Sequence, residues 1–102
     1  MLSIGEQIRK LREAQGLPLR KVAAALDIDQ SILSKIERGE RRASKEQIIQ
    51  IARIFNADEK ELLVNYLSDK VLYDLRDEDL AADALKVAEK KMKYLTQNQH
   101  GK

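Results

Sequence analysis

The apolar residues of this chain recur at intervals of three and four, in short stretches that each end at a residue suited to breaking a helix. That pattern restricts the fold to small packed helices, because a half-buried strand shows strict alternation instead. Ile4, Ile8 and Leu11 begin it, with Glu6, Arg9, Lys10 and Glu13 on other faces, Ser3 as a cap and Gly16 as a stop. Pro18 follows, tolerated at a helix start because the N–H it lacks would have no intrahelical partner there. The next helix is expected over about Leu19 to Leu26. Val22, Ala23 and Leu26 form its apolar face, and Ala23, Ala24 and Ala25 are thin enough for a close helix crossing.

Asp29 then caps a third segment, Gln30 to about Arg38, closed by Gly39. Ser44 and Gln47 have the form of a capping box for a fourth helix, whose Ile48, Ile51, Ile54 and Phe55 make an apolar stripe ended by Asn56. Asp58 caps a fifth, in which Leu62, Leu63, Tyr66, Leu67 and Val71 run on toward Leu75 until Asp77, Glu78 and Asp79 interrupt them. Ala81, Leu85, Ala88, Met92 and Leu95 follow at alternating spacings of four and three, a heptad seam about two repeats long. The expected architecture is all-α with six helices: a five-helix domain over residues 1–66 and a helical extension over residues 67–102, disordered from about residue 97.

A chain of 102 residues has room for one modest core. It holds no cysteine, which removes disulfides, thiolate metal sites and thiol nucleophiles and is compatible with a reducing compartment. The one histidine, His100, stands in a polar tail beside Gly101, so no catalytic base is expected and neither is enzymatic activity. Asp77, Glu78, Asp79 and Asp83 suit the start of a helix by its dipole better than they suit a metal, and no phosphate-binding glycine loop occurs, so no cofactor is expected. No apolar run approaches the roughly 20 residues of a membrane span, and Met1 to Gly16 mixes charged with apolar residues, so the expectation is a cytoplasmic protein.

The net charge of +2 conceals an uneven distribution. Residues 1–56 hold 11 Lys and Arg against 7 Asp and Glu, whereas residues 57–102 hold 8 against 10. The first half is therefore basic.

Two short helices joined by a tight turn, the second with an exposed polar face, have the form of a helix-turn-helix. Residues 4–64, about 60% of the chain, resemble the Xre-type family of phage repressor and Cro-like DNA-binding domains. The resemblance is carried by Gly16-Leu17, Val22-Ala23, Leu26, Ile28, Gln30-Ser31, the run Leu33-Ser34-Lys35-Ile36-Glu37-Arg38-Gly39-Glu40-Arg41, and Ser44. It implies that Gln30 to about Arg38 is a recognition helix for double-stranded DNA. Gln30, Ser31, Ile32, Ser34 and Lys35 are its base-reading candidates: glutamine matches the adenine N6/N7 edge, lysine guanine O6/N7, and isoleucine a thymine methyl. Arg38, Arg41, Arg42 and Lys45, with Arg20 and Lys21 on the preceding helix, are the phosphate candidates. A plain solvated face is the alternative for this set. Arg12 and Glu37 match an ion pair that in similar domains ties the first helix to the recognition helix, a structural role.

Three positions depart from the family pattern. Leu19 stands where a glutamine often approaches the backbone from the helix before the recognition helix, which moves that phosphate role to its neighbours Arg20 and Lys21. Asp27 stands where a glycine usually makes the turn, and aspartate tolerates the left-handed conformation better than most residues. Asp29 replaces the usual serine or threonine cap and is expected to keep the capping role.

One domain of this kind covers one half-site, so a homodimer is expected, with Leu67, Val71, Leu75, Ala81, Leu85, Ala88, Met92 and Leu95 as its interface candidates. A sixth helix that folds back on its own domain is the alternative. The resemblance implies a sequence-specific transcriptional regulator acting as a dimer on a palindromic operator, similar to phage-type repressors and restriction-modification controllers, with transcription machinery or another protein as a further partner. The competing reading is an antitoxin or adaptor that binds proteins and holds DNA only weakly.

Overall fold

A computed structural model describes the backbone of residues 1–100 and the side chains of residues 1–97. Among these residues it is all helical: α1 (Ile4–Ala14), α2 (Leu19–Leu26), α3 (Gln30–Glu37), α4 (Lys45–Phe55), α5 (Glu59–Leu75) and α6 (Ala81–His100), with no strand. The chain divides into two compact units, Met1–Val71 and a second beginning at Leu72, so the division falls inside α5.

The first unit closes around Ile8 of α1, Val22, Ala23 and Leu26 of α2, Leu33 and Ile36 of α3, Ile48, Ile51, Ala52 and Phe55 of α4, and Leu62 and Tyr66 of α5. Ile8, Leu33, Ile48 and Ile51 are fully enclosed, and each such side chain contributes roughly 1.5–3 kcal/mol relative to exposure. The alanines of α2 do not all serve one purpose: Ala23 is buried, while Ala24 and Ala25 face solvent.

The helix ends follow from local chemistry. Ser3 with Glu6, and Ser44 with Gln47, form reciprocal capping boxes on α1 and α4. Asp58 accepts the Glu61 N–H at 3.2 Å. Four helices end alike, with Gly16, Asp27, Gly39 and Asn56 each in the left-handed region, at φ of 65°, 57°, 77° and 51°. At each of these residues the N–H returns to a carbonyl three residues back, and the following N–H reaches five back: Gly39 to Ile36 and Glu40 to Lys35 close α3, at 3.1 and 2.9 Å. Asp27 thus occupies the conformation that its glycine-like place required. Asp29 departs from expectation. It has the extended backbone of an N-cap (φ −67°, ψ 145°), but its carboxylate accepts no N–H from the first turn of α3.

Gly5 sets the crossing of α1 over α3. A Cβ built on it would collide with the Ile36 carbonyl oxygen and lie 2.7 Å from that of Glu37, so only glycine lets the two backbones approach. Polar ties complete the unit. Gln15 Nε2 donates to the Phe55 carbonyl at 2.8 Å, Asn65 Nδ2 to Gln7 Oε1 at 2.7 Å, and the Ile4 N–H to Asp69 Oδ2 at 2.8 Å.

In the second unit, no described side chain of α6 is buried, and Met92 (67% exposed), Tyr94 and Leu95 are open. His100 and most of the tail expected from about residue 97 lie outside the described side chains.

Candidate nucleic-acid interface

The polar face of α3 is presented by its buried one. Leu33, Ile36 and Glu37 point inward, which leaves Gln30, Ser31 and Lys35 exposed and Ser34 partly so, with Arg38 one turn further along the same face. Ile32 is partly buried and packs against the core, so only part of its side chain is available at the surface.

Arg12 of α1 fixes the orientation of this helix. Its Nε and Nη2 donate to Glu37 Oε2 and Oε1 at 2.8 and 3.0 Å, a bidentate pair whose side chains are 13% and 5% exposed. The third branch, Nη1, donates to the Leu17 carbonyl at 2.9 Å. One guanidinium therefore joins α1, the loop before α2, and α3. The Glu37 hydrogen bonds raise the Arg12 pKa above its ordinary value despite the opposing effect of burial, so the guanidinium stays charged. The Glu37 carboxylate is buried and both of its oxygens are taken up by Arg12.

The basic residues lie around α3 on exposed positions. Arg20 and Lys21 open α2, Arg38 ends α3, Arg41 and Arg42 occupy the following loop, and Lys45 begins α4. Ala43, buried within that loop, anchors it to the core. The interface candidates of the tail are open as well: Leu67 and Val71 are exposed on α5, as are Leu85, Ala88, Met92 and Leu95 on α6, while Leu75 and Ala81 are half-buried.

Arg38 is not a free cation. Its Nε donates to Glu40 Oε2 at 2.7 Å, Nη2 to Glu40 Oε1 at 3.4 Å, and Nη1 to Ser34 Oγ at 2.7 Å. These bonds raise the Arg38 pKa, chiefly through Glu40, and lower that of Glu40, chiefly through Arg38. Glu40 was not among the residues singled out from sequence, because a carboxylate in a basic run reads as ordinary surface charge. Its one signal is its place immediately after the helix-closing Gly39.

A short helix, a tight turn through Asp27 and a second helix held with its polar face outward define a helix-turn-helix protein. The helix-turn-helix family model matches residues 8–62, more than half of the chain. The chain belongs to the Xre-like helix-turn-helix family of DNA-binding regulators. Among solved structures it is similar to the restriction-modification controller protein C.AhdI from Aeromonas hydrophila, with 32% identity and a TM-score of 0.54 over 58% of this chain and 89% of that one. It is also similar to the clp gene regulator ClgR from C. glutamicum, with 26% identity and a TM-score of 0.55 over 65% and 86%. A structure of the SinR/SinI protein complex shares the fold, with 19% identity and a TM-score of 0.55 over 92% and 98%. No curated protein matches the sequence. No helix among the described residues is long and apolar enough to cross a membrane.

Proposed function

We propose that the protein is a sequence-specific double-stranded DNA-binding regulator of transcription, without catalytic activity, that works in the cytoplasm as a homodimer on a palindromic operator. The observation that carries this reading is the outward polar face of α3, oriented by the Arg12–Glu37 pair and flanked by exposed cations. Gln30, Ser31, Ser34 and Lys35, with the open part of Ile32, read base edges in the major groove. Arg20, Lys21, Arg41, Arg42 and Lys45 hold phosphates and set the register, and Arg38 adds a phosphate contact only through the two guanidinium N–H groups that Ser34 and Glu40 leave open. The dimer rests on the exposed apolar side chains of α5 and, separately, on those of α6, because exposed large apolar side chains mark candidate interaction sites.

Selection of bound sequences from a random duplex pool tests the reading. A palindromic motif with half-sites about one helical turn apart is expected. Micromolar, sequence-independent binding at physiological salt would overturn it in favour of the antitoxin or adaptor alternative.

A further inference from the structure

Glu40 is placed by the backbone. Its N–H donates to the Lys35 carbonyl at 2.9 Å, the outer bond of the turn in which Gly39, at φ 77°, closes α3. The turn brings the Glu40 carboxylate back onto Arg38, two residues earlier, at 2.7 Å. Arg38 in turn reaches back one helical turn to Ser34. Ser34, Arg38 and Glu40 therefore form one hydrogen-bonded chain along the rim of the recognition helix, and three of the five guanidinium N–H groups are occupied within the protein.

The chain has different consequences for two kinds of DNA complex. Binding to arbitrary duplex is almost wholly electrostatic, so every cation gains most by turning to a phosphate. Arg38 can do so fully only by leaving Glu40, whose carboxylate competes for the same donors. Base readout places a different demand on the same residues. Ser34 Oγ, accepting from Arg38, keeps its own O–H available to donate toward a base acceptor such as guanine N7 or thymine O4, and that arrangement survives only while Arg38 stays in place.

We infer that Glu40 is a specificity-determining residue: it competes with phosphate for Arg38, weakening attachment to arbitrary DNA while preserving the Ser34–Arg38 arrangement used on the operator. This rests on the DNA-binding reading above. The pair is about half exposed, at 53% and 55%, so its effect is that of a surface ion pair, a few-fold change in affinity.

The test uses the full chain and two duplexes, one enriched by the wild-type protein from a random pool and one of shuffled sequence and equal composition, each titrated over a range of salt. Glu40→Gln is expected to bind the shuffled duplex about two- to fivefold more tightly. Its salt slope there should steepen by up to about one, with the enriched duplex bound no better than before. In an Arg38→Ala background the same substitution should produce no gain. A gain that persists without Arg38 would mean plain charge repulsion and overturn the inference, as would equal gains on both duplexes or no change on either. Wild-type protein that binds neither duplex would refute the DNA-binding reading itself, an outcome distinct from all of these.

Discussion

Gly5 of α1 lies against the carbonyl of Ile36 at the end of the recognition helix, in a space that a single methyl group would overfill. A glycine adds backbone entropy cost and no side-chain contact to the first turn of a helix, so its place here answers to the close packing rather than to local preference. The contact sits beside the Arg12–Glu37 pair, and the two together fix how far α3 projects from the domain.

Gly5→Ala is therefore expected to reverse the usual sign. The substitution should destabilise the fold by about 1–3 kcal/mol, the cost typical of overpacking. Urea denaturation measures it, and a stability equal to wild type or higher would show that the crossing yields.

Arg12→Ala leaves the Glu37 carboxylate buried without its cation. Breaking a buried pair from one side costs about 3–5 kcal/mol, and the 13% exposure of Arg12 puts the expected loss near the lower end. Replacing both residues by methionine should cost less than the two single changes added together, because no charge is stranded. Thermal melts of the four proteins read the coupling directly.

Asp27 holds a left-handed conformation at φ 57°, which disfavours any residue with a Cβ. Asp27→Gly should raise stability by about 0.5–1 kcal/mol, and Gly39→Ala, at φ 77°, should lower it by a similar amount. Denaturant midpoints that fail to move in opposite directions would contradict this account of the helix ends.

The Glu6 carboxyl is held below its ordinary pKa, first by the Ser3 hydroxyl and then by the Ser3 N–H. A carboxyl with a depressed folded-state pKa contributes stability above its unfolded pKa, and that contribution is lost as pH falls through the folded value. Glu6→Gln should thus be less stable than wild type at neutral pH and converge with it in acid, as pH falls below the depressed pKa of Glu6. A stability difference independent of pH would exclude the ionised capping box as its source.

At the surface, Arg41→Ala should weaken binding to every duplex alike and reduce the salt slope by about 0.9, the signature of one lost phosphate contact. Gln30→Ala should instead relax discrimination at one operator position by about 1–3 kcal/mol. Fluorescence anisotropy at several salt concentrations separates the two behaviours.

The helices and their ends were legible from the sequence because caps and left-handed closing residues act within a few positions of themselves. Ser3, Ser44, Gly16 and Asn56 take the places their chemistry assigns. Asp29 shows the limit of that reading, since its N-cap backbone is present without the side-chain bond. The base-reading candidates on α3 were legible only through the resemblance to the family, whereas the partial burial of Ile32 depends on what packs beneath it. Glu40 could not be read as a partner of Arg38, because the pairing requires the turn through Gly39 to fold the chain back.

By itself, the sequence determined where six helices begin, where the first five end and which face of the first four is apolar, since these depend on residue spacing and on hydrogen bonds within a turn. Only the tertiary structure decided that Gly5 is a contact rather than a weak point in α1, that Asp69 receives the Ile4 N–H, and that Glu40 occupies Arg38. Two of these relationships join residues far apart in the chain, where no periodicity carries information. The third joins neighbours through a backbone reversal, and it is the geometry of that reversal, rather than the order of residues, that sets the charge presented by the end of the recognition helix.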